Sequence, residues 1–182
     1  EVIVVAATSV KNPEPALDFT QLVKSTVEAC EVAKEAAGLA AEGIATGSTQ
    51  LLTAIRERER SLDRMDMEVD AGVTIAITKV SDLEARELLA CMKIMIGLER
   101  IGDLLLSFAS SALSAADHLD SRDRHDLTNM ATILEKMLAD VGFSFSNRDV
   151  KKAIGVRRAD GEMDRLRNLI FMSDGLVKCF CN

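Results

Sequence analysis

Residues 81–106, with the sequence SDLEARELLACMKIMIGLERIGDLLL, decide the fold class of this chain. Their apolar side chains recur every three or four residues, which is the spacing of an α-helix and differs from the two-residue alternation of a β-strand. Ser81 and Glu84 form a capping-box pattern, in which each side chain can accept a hydrogen bond from the backbone N–H of the other residue. The stretch therefore predicts a long helix that begins at Ser81 and runs to about residue 116.

The same apolar spacing continues on both sides of this stretch, over residues 16–170, and predicts five helices. The breaks between them fall where capping residues stand. Gly47 can end the first helix and Ser48 can begin the second. The polar segment 118–126 is expected to link the third helix to the fourth, and residues 143–149 to link the fourth to the fifth. Long helices with short connections predict an all-α antiparallel helical bundle.

A short internal repeat suggests how the helices are organised. Residues 59–65 (ERSLDRM) resemble residues 160–166 (DGEMDRL) at an offset of 101 residues. The offset predicts two repeated three-helix units behind an extended N-terminal arm at residues 1–15. The first unit would span residues 16–117. The second would span residues 120–182 and lack most of its last helix.

The composition excludes several classes of protein. Hydrophobic residues make up 48% of the 182 residues and charged residues 28%, which is typical of a folded core rather than a disordered chain. No apolar run approaches the roughly 20 residues that span a bilayer, so contact with a membrane is expected to be peripheral at most. The net charge of −7 and the absence of Trp and Tyr argue against binding to nucleic acid. Four cysteines without disulfide spacing, Cys179 and Cys181 among them, favour a reducing, cytoplasmic setting.

Acidic side chains stand in three pairs, each four residues apart, on the predicted second, third and fifth helices. The pairs are Glu59 with Asp63, Glu99 with Asp103, and Asp160 with Asp164. Four residues is about one helical turn, so each pair presents two carboxylates on one face. The first two pairs fall in or beside apolar sectors, where an ionised carboxylate is costly unless it is paired or ligated.

Two interpretations of these pairs remain open at this point. The acids could border the apolar stripe, where they reach water or pair with arginines. Alternatively, pairs from neighbouring helices could converge on a cation, and oxygen ligands suit hard ions such as Mg²⁺, Mn²⁺, Ca²⁺ or Fe³⁺ rather than zinc. No histidine accompanies any pair, which argues against a di-iron oxidase of the ferritin-like kind.

The segment Leu98-Glu99-Arg100-Ile101-Gly102-Asp103 resembles the signature segment of the PhoU family of phosphate regulators. Residues 59–66 and 160–166 are similar to the acidic motifs on the second and fifth helices of that family. Residues 145–149 resemble its turn between the fourth and fifth helices. The resemblance covers roughly residues 16–170.

This resemblance implies a function and a set of site residues. The family acts by contact with the ATPase of the phosphate ABC transporter and with the sensor histidine kinase that controls phosphate-starvation genes, and it is not known for catalysis. The chain is thus expected to be a non-enzymatic regulatory adaptor. The resemblance also implies that all six paired acids are ligands or neighbours of a bound metal ion, with Fe, Mn or Mg as the candidates.

The sequence departs from the pattern of the family in two places. Leu104 stands where the family commonly has histidine after the Asp of the third-helix motif, and the sequence holds no second copy of that motif. A missing sixth helix would leave apolar faces uncovered, so we expect a homodimer. The alternatives to the adaptor are a carboxylate-bridged, metal-dependent enzyme and a plain helical scaffold without metal.

Overall fold

The computed structural model describes residues 17–116 and 119–172. These residues form five α-helices and no strand: α1 Phe19–Thr46, α2 Thr49–Ala76, α3 Asp82–Ser114, α4 Ser121–Asn147 and α5 Val150–Met172. The all-α helical bundle expected from the apolar spacing is confirmed. The predicted N-terminal arm (residues 1–15) and the Cys179/Cys181 tail lie outside the described residues. None of the helices within the described ranges combines the length and the hydrophobicity that a bilayer crossing requires.

Side-chain caps set where the helices begin. The predicted capping box is present at α3, where the Ser81 N–H donates to Glu84 Oε2 at 2.9 Å and the Glu84 N–H donates to Ser81 Oγ at 3.4 Å. Asp120 caps α4 by accepting from two backbone N–H groups at 2.8 Å. The expected link at residues 118–126 is therefore too long, because α4 already begins at Ser121.

Two residues with a left-handed backbone end α1 and α4. Gly47 (φ 70°) follows α1, as predicted, and the Arg124 guanidinium of α4 donates to the Ile44 carbonyl at 3.0 Å near the same end. Arg148 (φ 53°) follows α4 and is the non-glycine residue with positive φ in the described part of the chain. Its side chain forms an ion pair with Glu87 of α3 at 2.7 Å, which ties the α4–α5 turn to α3.

The helix α1 lies at the centre of the bundle and packs against α2, α3 and α4. Small side chains make this possible, because six alanines of α1 are at most 8% exposed and let the neighbouring helices approach closely. They are Ala29, Ala33, Ala36, Ala37, Ala40 and Ala41. The helices α2 and α3 also pack against each other, so that α1, α2 and α3 form one three-helix unit. The division into repeats at residues 16–117 and 120–182 stays a prediction.

The last helix, α5, has its main contact with α4 alone. Leu166 is the buried residue on its described face, and most other side chains of α5 up to residue 168 are exposed. An open apolar groove of about 550 Å³ separates α5 from α3, and α4 forms its floor. The lining includes Ile101, Leu105, Phe108, Met130, Leu134 and Met163. As a result, α5 is held along one face and presents the rest of its surface outward.

Candidate functional site

The helices α2 and α3 approach each other closely at Gly102. A Cβ atom on Gly102 would lie 2.9 Å from Leu62 Cδ1 and 3.7 Å from the Cα of Glu59. The absence of a side chain at Gly102 therefore brings the α2 backbone at Glu59 against the turn of α3 that carries Glu99 and Asp103.

This contact creates a surface that we call the acidic seam. It consists of four acids on one side of α2 and two acids on the facing side of α3: Glu59, Asp63, Asp66, Asp70, Glu99 and Asp103. Spacings of four and three residues keep the α2 acids within about 60° of one another around that helix. Asp66 and Asp70 were not among the predicted ligands, although the continuation of the four-and-three spacing could have revealed them.

The acids of the seam border the core rather than lie within it. Glu59, Asp63, Asp66 and Glu99 are half-buried, and Asp103 is exposed. The apolar neighbours Leu62 and Leu98 are fully buried beneath them. The position of Glu59 and Glu99 next to an apolar sector is thus as the sequence indicated, but their carboxylates retain access to water.

Three carboxyl groups of the seam hold their protons more firmly than usual. The pKa of Glu59 is raised by burial, by the charge of Asp63 together with a hydrogen bond between the two carboxyl groups, and by Asp103 across the seam. The pKa of Glu99 is raised by burial, then by Asp103 and by the α2 acids. Burial and the charges of Asp70 and Asp63 raise the pKa of Asp66. The seam is an anionic surface that favours a proton or another cation.

Arg60 and Arg100 offset the charge of Glu59 and Glu99 only in part. Within residues 17–116 and 119–168, no Lys or Arg forms an ion pair with any of the six acids of the seam. Arg64 pairs instead with Glu68 at 3.1 Å, and Arg58 pairs with Glu35 of α1 at 2.9 Å. The interpretation in which arginines pair with these acids therefore does not describe the seam.

The third predicted pair lies apart from the seam. Asp160 and Asp164 are both exposed on α5, whose main contact is with α4. Asp164 pairs with Arg167 at 3.1 Å. The structure thus brings together Glu59, Asp63, Glu99 and Asp103, whereas the α5 acids do not join them.

The seam offers the ligand chemistry of a hard cation but not a closed coordination shell. Carboxylate oxygens are the ligands that Mg²⁺ and Mn²⁺ prefer. Across the described residues, however, no three Asp, Glu, His or Cys side chains converge closely enough to hold a metal ion. Ligation at the seam would require carboxylates of α2 and α3 to turn toward a common point. The assignment of all six predicted acids as metal ligands stays a prediction.

Fold and seam together define a class, namely all-α bundles that carry acidic pairs on adjacent helices. The matched family is more specific: residues 26–112 match the family model described as the PhoU domain. The matched span includes the acidic seam, α2 and nearly all of α3. The resemblance of the chain to the PhoU family is therefore confirmed.

Curated relatives carry the same family name. The chain is 29% identical over 136 residues to the "Phosphate-specific transport system accessory protein PhoU homolog" of Caulobacter vibrioides (strain NA1000 / CB15N), which covers 74% of this chain and 55% of the relative. It is 30% identical over 119 residues to the homolog of the same name from Borreliella burgdorferi, and this alignment covers 62% of the chain and 53% of the relative. The "Phosphate-specific transport system accessory protein PhoU" of Serratia marcescens is 28% identical over 121 residues, which are 64% of this chain and 49% of the relative.

The chain spans about half the length of the curated relatives it matches. No solved structure matches the chain significantly.

Proposed function

We propose that this chain is a non-catalytic regulatory adaptor of phosphate uptake and of phosphate-starvation signalling. The observation that carries the proposal is the match of residues 26–112 to the PhoU domain model. The curated relatives of the chain are named as accessory proteins of the phosphate-specific transport system. The partners we infer are the ATPase of the phosphate ABC transporter and a sensor histidine kinase, both reached from the cytoplasmic side.

The surface of the bundle suits a protein that acts by contact. Several large apolar side chains are about half exposed or more, and such side chains commonly mark interaction surfaces when they cluster. Three of them lie on α3 and one beside the seam on α2: Leu89, Ile96, Leu104 and Met67. The net charge of −7 favours partners with basic docking surfaces, because charge complementarity steers association.

We infer in addition that the acidic seam binds a metal ion, with Mn, Fe or Mg as the candidates. The raised pKa values of Glu59 and Glu99 support this, because burial and then repulsion from neighbouring acids raise them, and a cation between α2 and α3 would offset both effects. The metal would hold the two helices together through Glu59 and Asp63 on one side and Glu99 and Asp103 on the other.

Recovery of the transporter ATPase tests the adaptor function. The immobilised chain is incubated with the purified ATPase subunit of the phosphate transporter from the same organism, and in parallel with the sensor kinase. An unrelated ABC-transporter ATPase serves as the control partner. We expect retention of the phosphate-transporter subunit and of the sensor kinase, but not of the control ATPase. Equal retention of both ATPases, or retention of neither with or without added Mn²⁺, would contradict the adaptor function.

Metal analysis tests the seam separately. Protein purified without chelator is compared with Glu99→Ala/Asp103→Ala and with the matched control Asp160→Ala/Asp164→Ala, which removes two acids at the same spacing from α5. We expect the seam variant to lose its metal and the α5 variant to keep it. Loss from the α5 variant alone would move the site to α5. Absence of metal from wild type would favour the plain scaffold, and turnover of a substrate that depends on metal would favour the enzyme.

A further inference from the structure

The helix α5 differs in charge from the rest of the chain. Its 23 residues contain six basic side chains and three acidic ones, whereas the chain as a whole has a net charge of −7. Two of the basic side chains are used within the bundle: Lys152 pairs with Asp140 of α4 at 2.9 Å, and Arg167 pairs with Asp164 at 3.1 Å. The other four basic side chains of α5 form no ion pair with any side chain that the structure describes.

Three of these remaining side chains form a line along α5. Lys151, Arg158 and Arg165 follow one another at intervals of seven residues, so that each lies within about 20° of the last around the helix. All three are exposed, and in the described part of the chain none forms an ion pair. Ile154, which is 47% exposed, lies between the first two on the same side. We call Lys151, Ile154, Arg158 and Arg165 the basic stripe.

Among residues 17–116 and 119–168, nothing packs on the basic stripe of α5. Leu166 and Met163 mark the side of α5 that packs toward α4 and the apolar groove. Successive residues of a helix are about 100° apart around its axis, so Arg165 lies about 100° from Leu166 in one direction. Met163 lies about 60° from Leu166 in the other direction. The stripe therefore points away from both the bundle and the groove.

The acidic seam complements the basic stripe in spacing and in length. Glu59 and Asp66 are seven residues apart, as are Asp63 and Asp70, which matches the interval of the stripe. At 1.5 Å per residue the α2 acids extend over about 17 Å, and Lys151 to Arg165 over about 21 Å.

The two surfaces also match in their apolar content. Met67 and Ile96 are 65% and 59% exposed and lie beside the acids of α2 and α3. The stripe carries Ile154 among its basic side chains. A contact between stripe and seam would therefore bury apolar area as well as join opposite charges, and the opposite charges would fix how the two surfaces align.

These two surfaces do not meet within one molecule, because α5 has its main contact with α4 while the seam lies between α2 and α3. We propose that the basic stripe of one copy of this chain docks on the acidic seam of a second copy. The same seam is the metal site of the proposed function, so a bound metal ion and the second copy compete for the same carboxylates. The inference thus adds an assembly state that responds to metal.

Complementary charge reversal tests the contact. The first variant, Lys151→Glu/Arg158→Glu/Arg165→Glu, makes the stripe acidic. The second, Asp63→Lys/Asp66→Lys/Asp70→Lys/Asp103→Lys, replaces four of the six seam acids and leaves the seam with a net positive charge. Each variant alone sets two surfaces of like net charge against each other, whereas a mixture of the two restores opposite net charges at both contacts. The control variant Lys79→Glu/Arg122→Glu/Lys136→Glu reverses three exposed basic residues away from both surfaces.

Sedimentation at low salt measures the assembly, and circular dichroism confirms that each variant is helical. We expect wild type and the control variant to sediment with at least about twice the mass of one 19.7 kDa chain. Each charge-reversed variant alone should sediment with the mass of one chain, and their equimolar mixture should return to the mass of wild type. We also expect wild type to dissociate at about 1 M salt, where the screening length is about 3 Å.

Several results would overturn the proposal. They are a wild type that is monomeric at low salt, a stripe variant that assembles as the control does, and a mixture of two folded variants that stays monomeric. Binding of a monomeric wild type to vesicles of anionic phospholipid, lost in the stripe variant, would assign the stripe to a lipid surface instead. Retention of the transporter ATPase and loading with metal are scored separately on the stripe variant, so failure of the contact is distinguishable from failure of the adaptor function.

Discussion

Replacement of Gly102 by alanine should weaken the fold by forcing α2 and α3 apart beneath the acidic seam. The new Cβ atom would lie 2.9 Å from Leu62 Cδ1, whereas ordinary contacts of this kind lie at 3.4–4 Å. Leu62 is fully buried, so its side chain must shift among packed neighbours to make room for the new methyl group. Overpacking of this kind costs about 1–3 kcal/mol, partly offset by the gain of about 1 kcal/mol from alanine in a helix.

Gly97→Ala is the matched control, because it lies on the same helix with no neighbouring atom within 4 Å of the position that its Cβ would take. It shares the gain in helix propensity and should raise the free energy of unfolding by about 1 kcal/mol. The difference between the two variants isolates the cost of the α2–α3 contact, and we expect it to be about 1–3 kcal/mol.

Urea unfolding followed by circular dichroism measures both variants, with the slope of the transition checked for constancy. Shortening the opposing side chain provides a second readout: in a Leu62→Ala background, the penalty at Gly102 should disappear, which a double-mutant cycle reports as a coupling energy. Equal stability of Gly102→Ala and Gly97→Ala would refute the reasoning. It would mean that α2 and α3 do not touch at Gly102 and that the seam does not have the described geometry.

Two further predictions concern titratable groups. Asp63→Asn should raise the free energy of unfolding at neutral pH by a few tenths of a kcal/mol, because it removes one like charge at i,i+4 from Glu59. Since the folded-state pKa of Glu59 is raised, its repulsion by Asp63 destabilises the fold fully above that pKa, and the effect fades as the pH falls toward the unfolded value of about 4.3. Urea midpoints of wild type and Asp63→Asn between neutral and acidic pH check this. A stability gain of Asp63→Asn that persists at acidic pH would contradict it. Burial raises the pKa of Cys30 to about 11, so this thiol should resist alkylation in the native protein near neutral pH and react once urea unfolds the chain. Mass spectrometry of the labelled Cys30 peptide measures both states, and rapid native labelling would show that α1 is not packed as described.

The ends of the helices could be read from the sequence because their causes are local. The capping box of Ser81 and Glu84 acts within a single turn, and Gly47 supplies the left-handed residue that ends α1. The start of α4 was placed too late, because the charged residues from Ser121 onward suggested a linker. Asp120 instead satisfies the first N–H groups of the helix, and this local bond outweighs the polar composition.

The candidate site was predictable only within single helices. The spacing of Glu59 and Asp63 requires that they share a face wherever α2 packs, and the same holds for Asp160 and Asp164 on α5. Nothing in the spacing of either pair states which other helix it will face. The pairing of α2 acids with α3 acids depends on the contact of Gly102 with Leu62, and such a contact joins residues far apart in the chain.

The amino-acid sequence by itself determined the helical class of this protein, the ends of most helices and the acidic pairs on each of them. Those features follow from the 3.6-residue turn and from hydrogen bonds between residues at most four positions apart. Only the tertiary structure decided that the pairs on α2 and α3 share one seam while the pair on α5 stands apart. The reason is steric, because a glycine lets α2 reach α3, whereas α5 packs on α4 and is kept away from both.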